Sequence, residues 1–180
     1  MPRHLLTTLL ALALLVACGS EEQAEQTGIE HAPIALDWPA MQAELAQHQG
    51  EPYLLNFWAT WCAPCVAELP ELIEVVEEHS EQGLKLVTIN YDLMVPGVDP
   101  SEMLPKLVEF QAAKGLHAPV LVYDADDYVP IDEALQLPGP IPVTIAFDAT
   151  GKEVARTEGA TDADGFRKLA RAALGQTTTP

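Results

Sequence analysis

The sequence predicts a single α/β domain in which helices alternate with the strands of a partly parallel sheet. The chain has 180 residues, of which 48% are hydrophobic, enough for one domain with a sizeable core. Short apolar runs alternate with segments whose apolar residues recur every three or four positions. Two strand-like runs at residues 143–147 and 153–157 flank an Asp-Ala-Thr-Gly turn, which predicts a β-hairpin.

The first predicted helix covers residues 37–49. Asp37 is a suitable N-cap, and Gly50 lies just past the end. Residues 53–58 then form an almost continuous apolar run, which is typical of a strand buried on both faces of a sheet.

A second helix starts at Ala63, because apolar residues recur there at steps of three and four. Gly83 is a suitable end, and Pro70 should bend the helix because its ring removes one backbone donor. Residues 84–91 are rich in branched side chains and form the next strand. This strand-helix-strand order predicts that the strands at 53–58 and 84–91 are parallel.

The remaining predicted elements complete the alternation. In chain order they are a loop at 94–100, a helix reaching Lys114 with Asp99 as its cap, a strand at 119–123, a turn at 124–127, a short helix at 131–137, the hairpin, and a last helix capped near Thr161 and ended by Gly175.

The N-terminus has the pattern of an export signal. Residues 1–17 carry a basic start and an apolar run that is too short for a typical spanning helix. Cys18 ends a Leu-Val-Ala-Cys sequence that resembles a bacterial lipobox, which implies that Cys18 carries acyl chains. We expect a lipidated flexible tether at 18–32, the folded domain at 33–176 and a disordered tail at 177–180. The protein would then be periplasmic and anchored to the inner or the outer membrane.

The charge of the chain excludes one class of partner. The formal net charge is −18, from 27 acidic and 9 basic residues. A nucleic acid is therefore not an expected partner. The acidic residues are spread along the chain, which favours a solvated acidic surface over a local acidic site.

Cys62 and Cys65 are the strongest chemical signal in the sequence. They stand at a predicted strand-to-helix junction, where the helix N-terminus stabilises a thiolate. We expect Cys62 to be the exposed attacking thiol and Cys65 to be more covered and to resolve the mixed disulfide. As a structural link the pair would contribute only about 2 kcal/mol, because the loop is so short. No second Cys pair or His-x-x-x-His accompanies it, so a metal site is not predicted.

The segment around the cysteines shows a family resemblance. Residues 56–70 read Asn-Phe-Trp-Ala-Thr-Trp-Cys-Ala-Pro-Cys-Val-Ala-Glu-Leu-Pro. They resemble the active-site segment of the TlpA/ResA-like branch of the thioredoxin superfamily, the membrane-anchored thiol-disulfide oxidoreductases. The resemblance implies a thioredoxin-like α/β fold: a central mixed β-sheet flanked by helices, with an extra strand-helix insertion.

The same resemblance assigns roles to further residues. Glu68 matches a glutamate near the thiols, which would raise their pKa and move a proton. Pro142 would be the cis-proline beside the cysteines, with Ile141 before it on the substrate rim. Trp61 would pack beside the attacking sulfur and contact substrate. Asn56 stands where cytosolic thioredoxins have a buried acid, and a purely structural role in the core strand is at least as well supported.

The resemblance implies a reductase of protein disulfides that needs no cofactor. Its clients would include apocytochrome c, and its electrons would come from a membrane thiol-disulfide donor. A disulfide oxidase or isomerase uses the same residues, and the reduction potential separates the two directions. A non-catalytic binding or copper-delivery module is the third alternative, although the C-x-x-x-C pattern of copper-delivery relatives is absent. A peroxidase is disfavoured because Thr60 is two residues before Cys62, not three.

Overall fold

A computed structural model describes residues 31–176 of the chain. The predicted signal peptide at 1–17, Cys18, most of the predicted tether and the tail at 177–180 lie outside the described residues. Within residues 31–176, no helix is long and apolar enough to cross a membrane.

The described residues form strands and α-helices in alternation, followed by a hairpin and a last helix. The elements are β1 (Ile34–Leu36), α1 (Trp38–Leu45), β2 (Tyr53–Trp58), α2 (Ala63–Glu78), β3 (Lys85–Asn90), α3 (Pro100–Lys114), β4 (Val120–Tyr123), α4 (Val129–Leu135), β5 (Val143–Phe147), β6 (Glu153–Glu158) and α5 (Ala163–Ala173). Short 3-10 turns follow α1, α2 and β3.

The strands form one mixed sheet in the order β1-β4-β3-β2-β5-β6. β1, β4, β3 and β2 are mutually parallel, whereas β5 is antiparallel to β2 and β6 is antiparallel to β5. The predicted thioredoxin-like α/β fold class is confirmed.

Helices cover both faces of the sheet. The crossovers from β2 to β3 and from β3 to β4 run in the same direction, so α2 and α3 lie on one face when both are right-handed. α5 packs on α2 and joins that face. α1 and α4 line a common groove with Tyr53 and Leu55, on the opposite face.

β2 is the centre of the core, and its residues are buried along its whole length. Trp58 is fully buried and stacks on Phe110 of α3, with ring centroids 5.0 Å apart. Burial on both faces explains why β2 is a continuous apolar run instead of an alternating one. The carboxyl end of β2 leads directly into the turn that carries the cysteines.

Several predicted boundaries differ from the structure. β1 was not predicted, because its three residues are too few to show a periodic pattern. α1 ends at Leu45, and residues 46–48 form a 3-10 turn instead of continuing the helix. α2 ends at Glu78, before the 3-10 turn that leads to Gly83 in the left-handed region. α4 lies two residues before its predicted position.

Candidate active site

Cys62 and Cys65 lie at the junction of β2 and α2 and form a disulfide. Their Cα atoms are 5.3 Å apart. Cys62 is the N-cap residue of α2, and its Sγ accepts the backbone N–H of Cys65 at 3.3 Å. A sulfur that receives a helix N-terminal amide is stabilised as a thiolate, which is the nucleophile in disulfide exchange.

The predicted exposure of Cys62 is wrong for the oxidised form that the structure describes. Cys62 is 6% exposed and Cys65 is 1% exposed, so both residues are buried, although Cys65 is the more covered of the two. The side chain that does reach solvent is Trp61, directly before Cys62, which is 54% exposed. Trp61 is therefore the solvent-facing side chain next to Cys62, and its contact with substrate stays a prediction.

The loop before β5 closes the site from the opposite side. The peptide bond between Ile141 and Pro142 is cis, and Pro142 is buried. The carbonyl oxygen of Ile141 lies 3.9 Å from the Sγ of Cys62. In the disulfide this sulfur has no proton to donate, whereas the reduced Cys62 thiol could donate to that carbonyl. The structure thus brings Ile141 and Pro142 to the cysteines.

Glu68 is buried, at 5% exposure, although it belongs to a helix rich in solvent-facing glutamates. It lies three residues after Cys65, and one of its carboxylate oxygens accepts the backbone N–H of Thr161 at 3.0 Å. Burial raises the pKa of the Glu68 carboxyl, and the nearby Thr161 N–H and Asn56 amide only partly oppose that rise. A carboxyl group of this kind can both accept and return a proton.

Asn56 is buried in β2 and links two strands of the sheet. Its Nδ2 donates to the hydroxyl of Thr144 on β5 at 2.9 Å. Its Oδ1 has no hydrogen-bond partner among residues 31–176. Asn56 therefore holds β2 against the strand that follows Pro142, and it also influences the pKa of Glu68.

Asp92 is an important residue that the sequence interpretation left without a role. It is 1% exposed and follows β3, the parallel neighbour of β2. Its carboxylate accepts the Thr60 hydroxyl at 2.6 Å, the Thr60 backbone N–H at 3.1 Å and the Asn90 amide at 2.7 Å. The hydroxyl proton of Thr60 is thus donated to Asp92 and not towards Cys62.

Asp92 fixes the turn that presents the cysteines. Thr60 stands two residues before Cys62, so its contacts with Asp92 restrain the backbone between β2 and α2. An acidic residue at the carboxyl end of a strand parallel to β2 is the sequence signal that could have found this contact, because such ends meet at one edge of the sheet.

A groove of about 310 Å³ lies beside Cys62. It is lined by Trp61, Tyr91, Tyr128, Asp132, Gly139, Pro140 and Ile141. Trp61 and Ile141 come from the two segments that meet at the cysteine pair. Asp132 belongs to α4, and Tyr128 is the residue directly before α4. The sequence interpretation included neither Tyr91 nor these two residues, because nothing in their spacing ties them to the cysteines.

A second cavity, of about 530 Å³, lies where β2, β3 and β4 begin, at the opposite end of the sheet from the cysteines. His31, His48 and His117 are among its lining residues. Among residues 31–176, however, no three His, Cys, Asp or Glu side chains are grouped so that they could hold a metal ion. This cavity has no part in the chemistry of the cysteine pair.

The sequence profile of the AhpC/TSA family matches residues 35–161, a range that contains the cysteine pair, Glu68 and Pro142. The chain belongs to the AhpC/TSA family.

Individual relatives of this AhpC/TSA chain are thiol-disulfide oxidoreductases named ResA. This chain is 29% identical over 159 residues to ResA of Geobacillus thermodenitrificans, and the match covers 83% of this chain and 84% of the relative. It is 26% identical over 166 residues to a ResA of Bacillus cereus, covering 82% and 85%. A thiol:disulfide interchange protein of the thioredoxin family from Chlorobium tepidum TLS has a similar structure, with 26% identity, a TM-score of 0.57 and coverage of 72% and 84%.

These similarities agree with the geometry of the site. The AhpC/TSA domain of this chain is a thioredoxin-superfamily domain of the ResA-like thiol-disulfide oxidoreductase type, and Cys62 and Cys65 are its Cys-x-x-Cys pair.

Proposed function

We propose that this protein is an extracytoplasmic disulfide reductase that is held at a membrane by lipid on Cys18. The Cys62 thiolate attacks a client disulfide, one client sulfur leaves as a thiolate and takes a proton, and a mixed disulfide remains. Cys65 then attacks the Sγ of Cys62, which releases the second client sulfur and leaves the protein oxidised. Two electrons pass to the client, and a membrane thiol-disulfide donor restores the dithiol.

The burial of Glu68 is the observation that supports the reducing direction. Its carboxyl group lies one helical turn from Cys65 and is shielded from water. A negative charge there disfavours a thiolate at either cysteine, so the reduced form gains little stabilisation. A dithiol that is not stabilised gives up its electrons readily, as a strong reductant does.

The oxidase or isomerase alternative is supported by a different contact. The backbone N–H of Cys65 donates to the Sγ of Cys62, with 3.3 Å between nitrogen and sulfur. This contact stabilises the Cys62 thiolate and therefore the reduced protein. A stabilised reduced form makes a strong oxidant. The balance between this amide and Glu68 therefore determines the direction of electron flow.

The reduction potential of the cysteine pair tests the proposal. The protein is equilibrated with reduced and oxidised glutathione or dithiothreitol, and the disulfide fraction is measured by thiol alkylation and mass spectrometry. We expect a potential near that of thioredoxin, about −270 mV. A value near that of DsbA, about −120 mV, would instead assign the protein to the oxidases.

We propose that apocytochrome c is among the clients. The test uses an oxidised C-x-x-C-H peptide, which carries the haem-attachment sequence, and a matched peptide with the His replaced by Ala. We expect the reduced protein to open the disulfide of both peptides faster than glutathione does at the same thiol concentration. If it opens other protein disulfides but neither of these, apocytochrome c is not a client.

Variants of the two cysteines test whether the thiols are needed at all. Cys62→Ser and Cys65→Ser should each lose the turnover of disulfide substrates, because the first lacks the attacking sulfur and the second cannot resolve the mixed disulfide. Full activity without either thiol would favour a non-catalytic binding module.

Lipidation of Cys18 is tested separately from the redox activity. Cells that express the protein are grown with a labelled fatty acid and then separated into membrane and soluble fractions. We expect label and membrane attachment for the parent and for Cys62→Ser, and neither for Cys18→Ser. Separation of the inner and outer membranes then assigns the location.

A further inference from the structure

The groove beside Cys62 is placed to receive the part of a client that flanks its disulfide. Trp61, on its wall, precedes Cys62 in the chain, and Ile141, which also lines it, has its carbonyl oxygen 3.9 Å from the Cys62 Sγ. The residues that flank the disulfide of a client would therefore be close to this groove when a client sulfur is bonded to Cys62.

The groove combines aromatic rings with one acidic side chain. Trp61, Tyr91 and Tyr128 supply the rings, and those of Tyr91 and Tyr128 meet edge to face with centroids 5.1 Å apart. Among the lining residues that the structure describes, only Asp132 has a charged side chain. Within residues 31–176, the Asp132 carboxylate takes part in no described hydrogen bond or ion pair, and it is partly buried.

Tyr91 adds a polar group that has no partner in the described part of the chain. Its side chain is 2% exposed, and its hydroxyl makes no hydrogen bond to residues 31–176. A buried hydroxyl without a partner is uncommon, because the lost hydrogen bonds to water are not replaced. The lining of the groove therefore contains a hydroxyl group, that of Tyr91, and a carboxylate, that of Asp132, neither of which has a partner among residues 31–176.

We propose that this groove binds a lysine or arginine side chain that flanks the disulfide of the client. The proposal rests on the proposed function, because it names the substrate class of the same site. The carboxylate of Asp132 pairs with the cation, and the aromatic rings of Tyr128 and Trp61 attract it. Asp132 and Tyr128 determine specificity and take no part in the exchange of sulfurs.

The alternatives fit the groove less well. An acidic client residue would be repelled by Asp132 and by a chain whose net charge is −18. An apolar client residue would cover the Asp132 carboxylate without giving it a partner, at the cost of its hydration. Burial already raises the pKa of the Asp132 carboxyl, and a bound cation would relieve that effect.

The experiment measures single-turnover reduction of two synthetic disulfide peptides. The peptides are identical except that the residue beside one cysteine is lysine or its neutral counterpart norleucine. The purified dithiol protein is mixed with each oxidised peptide, the reaction is stopped with acid, and the second-order rate constant is obtained from the released thiols. Each rate is divided by that of glutathione with the same peptide, because lysine alters the reactivity of a nearby disulfide.

We expect the parent protein to prefer the lysine peptide by about five- to tenfold. Asp132→Asn should bring this ratio close to one, and Tyr128→Leu should lower it in part. Glu133→Gln is the matched control, because Glu133 is the exposed neighbour of Asp132 on α4 and its loss changes the net charge equally. That variant should keep the parent ratio. Circular dichroism and thermal unfolding verify that each variant is folded.

The outcomes separate this proposal from the proposed function. If the parent protein reduces both peptides readily but with equal normalised rates, or prefers norleucine, the groove does not bind a cation and only this proposal fails. A preference that persists in Asp132→Asn has the same meaning. If the parent protein reduces neither peptide faster than glutathione does, the proposed reductase function itself is wrong.

Discussion

At the scale of single residues, Glu68 is the side chain whose burial differs most from that of its neighbours in the sequence. Four further glutamates follow on the same helix, and all four are exposed: Glu71, Glu74, Glu77 and Glu78. The contact with the Thr161 N–H and the burial of its side chain set Glu68 apart. Burial raises the pKa of the Glu68 carboxyl, and we propose that Glu68 thereby links the protonation of the protein to the redox state of the cysteines.

Glu68→Gln should slow disulfide exchange at neutral pH by about tenfold or more, because glutamine can accept the Thr161 N–H but cannot accept and return a proton. The thiol pKa of the cysteine pair should fall, because a neighbouring negative charge is lost. Both are measured by the pH dependence of the alkylation and exchange rates. Glu71→Gln is the control, since Glu71 is exposed and also accepts a backbone N–H, that of Ala163. Equal profiles for Glu68→Gln and the parent would remove Glu68 from the mechanism.

The same substitution should change how stability depends on pH. In the unfolded chain Glu68 ionises near 4.5, whereas the folded protein holds the proton to a higher pH. Stability due to Glu68 is thus complete below 4.5 and falls as the pH rises through the folded pKa. Glu68→Gln should therefore gain stability relative to the parent over this window. Urea unfolding at a series of pH values measures the gain, and a difference that is independent of pH would contradict it.

Asp92→Asn should destabilise the protein by about 1–3 kcal/mol. The asparagine has the same shape, but its NH2 group would face the N–H of Thr60 or the amide NH2 of Asn90, which both donate to Asp92 in the parent. Two donors would then oppose each other in a buried site, and neither would have an acceptor. Urea unfolding measures the loss. Asp126→Asn is the control, because Asp126 is exposed. Equal stabilities for the two variants would mean that Asp92 does not restrain the turn before Cys62.

At the scale of elements, the contact between α2 and α5 holds Glu68 in its buried position. Glu68 and Glu71 of α2 accept the backbone N–H groups of Thr161 and Ala163, at the start of α5. A Cβ atom added at Gly165 would collide with the side chain of Thr161. The glycine in the first turn of α5 therefore leaves room for the side chain of Thr161, whose backbone N–H donates to Glu68.

Gly165→Ala should destabilise the protein by about 1–3 kcal/mol through this collision. At an unhindered helix position the same change would stabilise by about 1 kcal/mol. A double-mutant cycle with Thr161→Ala tests the cause, because removing the Thr161 hydroxyl and methyl should recover most of the loss. Urea unfolding of the four proteins gives the coupling energy, and simple additivity would contradict the proposed collision.

The sequence predicted the elements that carry a strong pattern. β2 was found because it is a continuous apolar run, α2 because its apolar residues recur at steps of three and four, and the β5–β6 hairpin because a turn sequence separates two strand-like runs. β1 was missed because it is a strand only through its pairing with β4, and such pairing leaves no local signal. The proximity of Cys62 and Cys65 follows from their spacing. The burial of Cys62 and Glu68 does not, because it depends on elements more than 70 residues away, Ile141 and Thr161.

The excess of acidic residues governs the properties of the whole molecule. Among residues 31–176, the ion pairs of Arg156 and Arg167 each involve two acidic partners, and most other acids have no pairing cation. A net charge of −18 therefore leaves substantial repulsion within the folded chain.

The melting temperature should rise as NaCl increases from about 0.05 M to about 0.5 M, because salt screens this repulsion. A stabilisation of about 1 kcal/mol corresponds to about 2–4 °C for a chain of this size. Calorimetry at neutral pH measures the change. Near the sequence pI of about 4.3 the same salt increase should have little effect, because the net charge is close to zero. A melting temperature that is independent of salt at neutral pH would contradict the prediction.

The antiparallel pairing of β2 with β5 also determines how the site tolerates change in its loops. Phe57 pairs with Val143, and the carbonyl of Pro142 accepts the N–H of Gly159. Pro142 is thus positioned from its C-terminal side by the sheet, independently of residues 136–140. Insertions or deletions in that stretch can reshape the groove for new clients while the distance between Pro142 and the cysteines is preserved. In this protein, client choice and redox chemistry can therefore evolve separately.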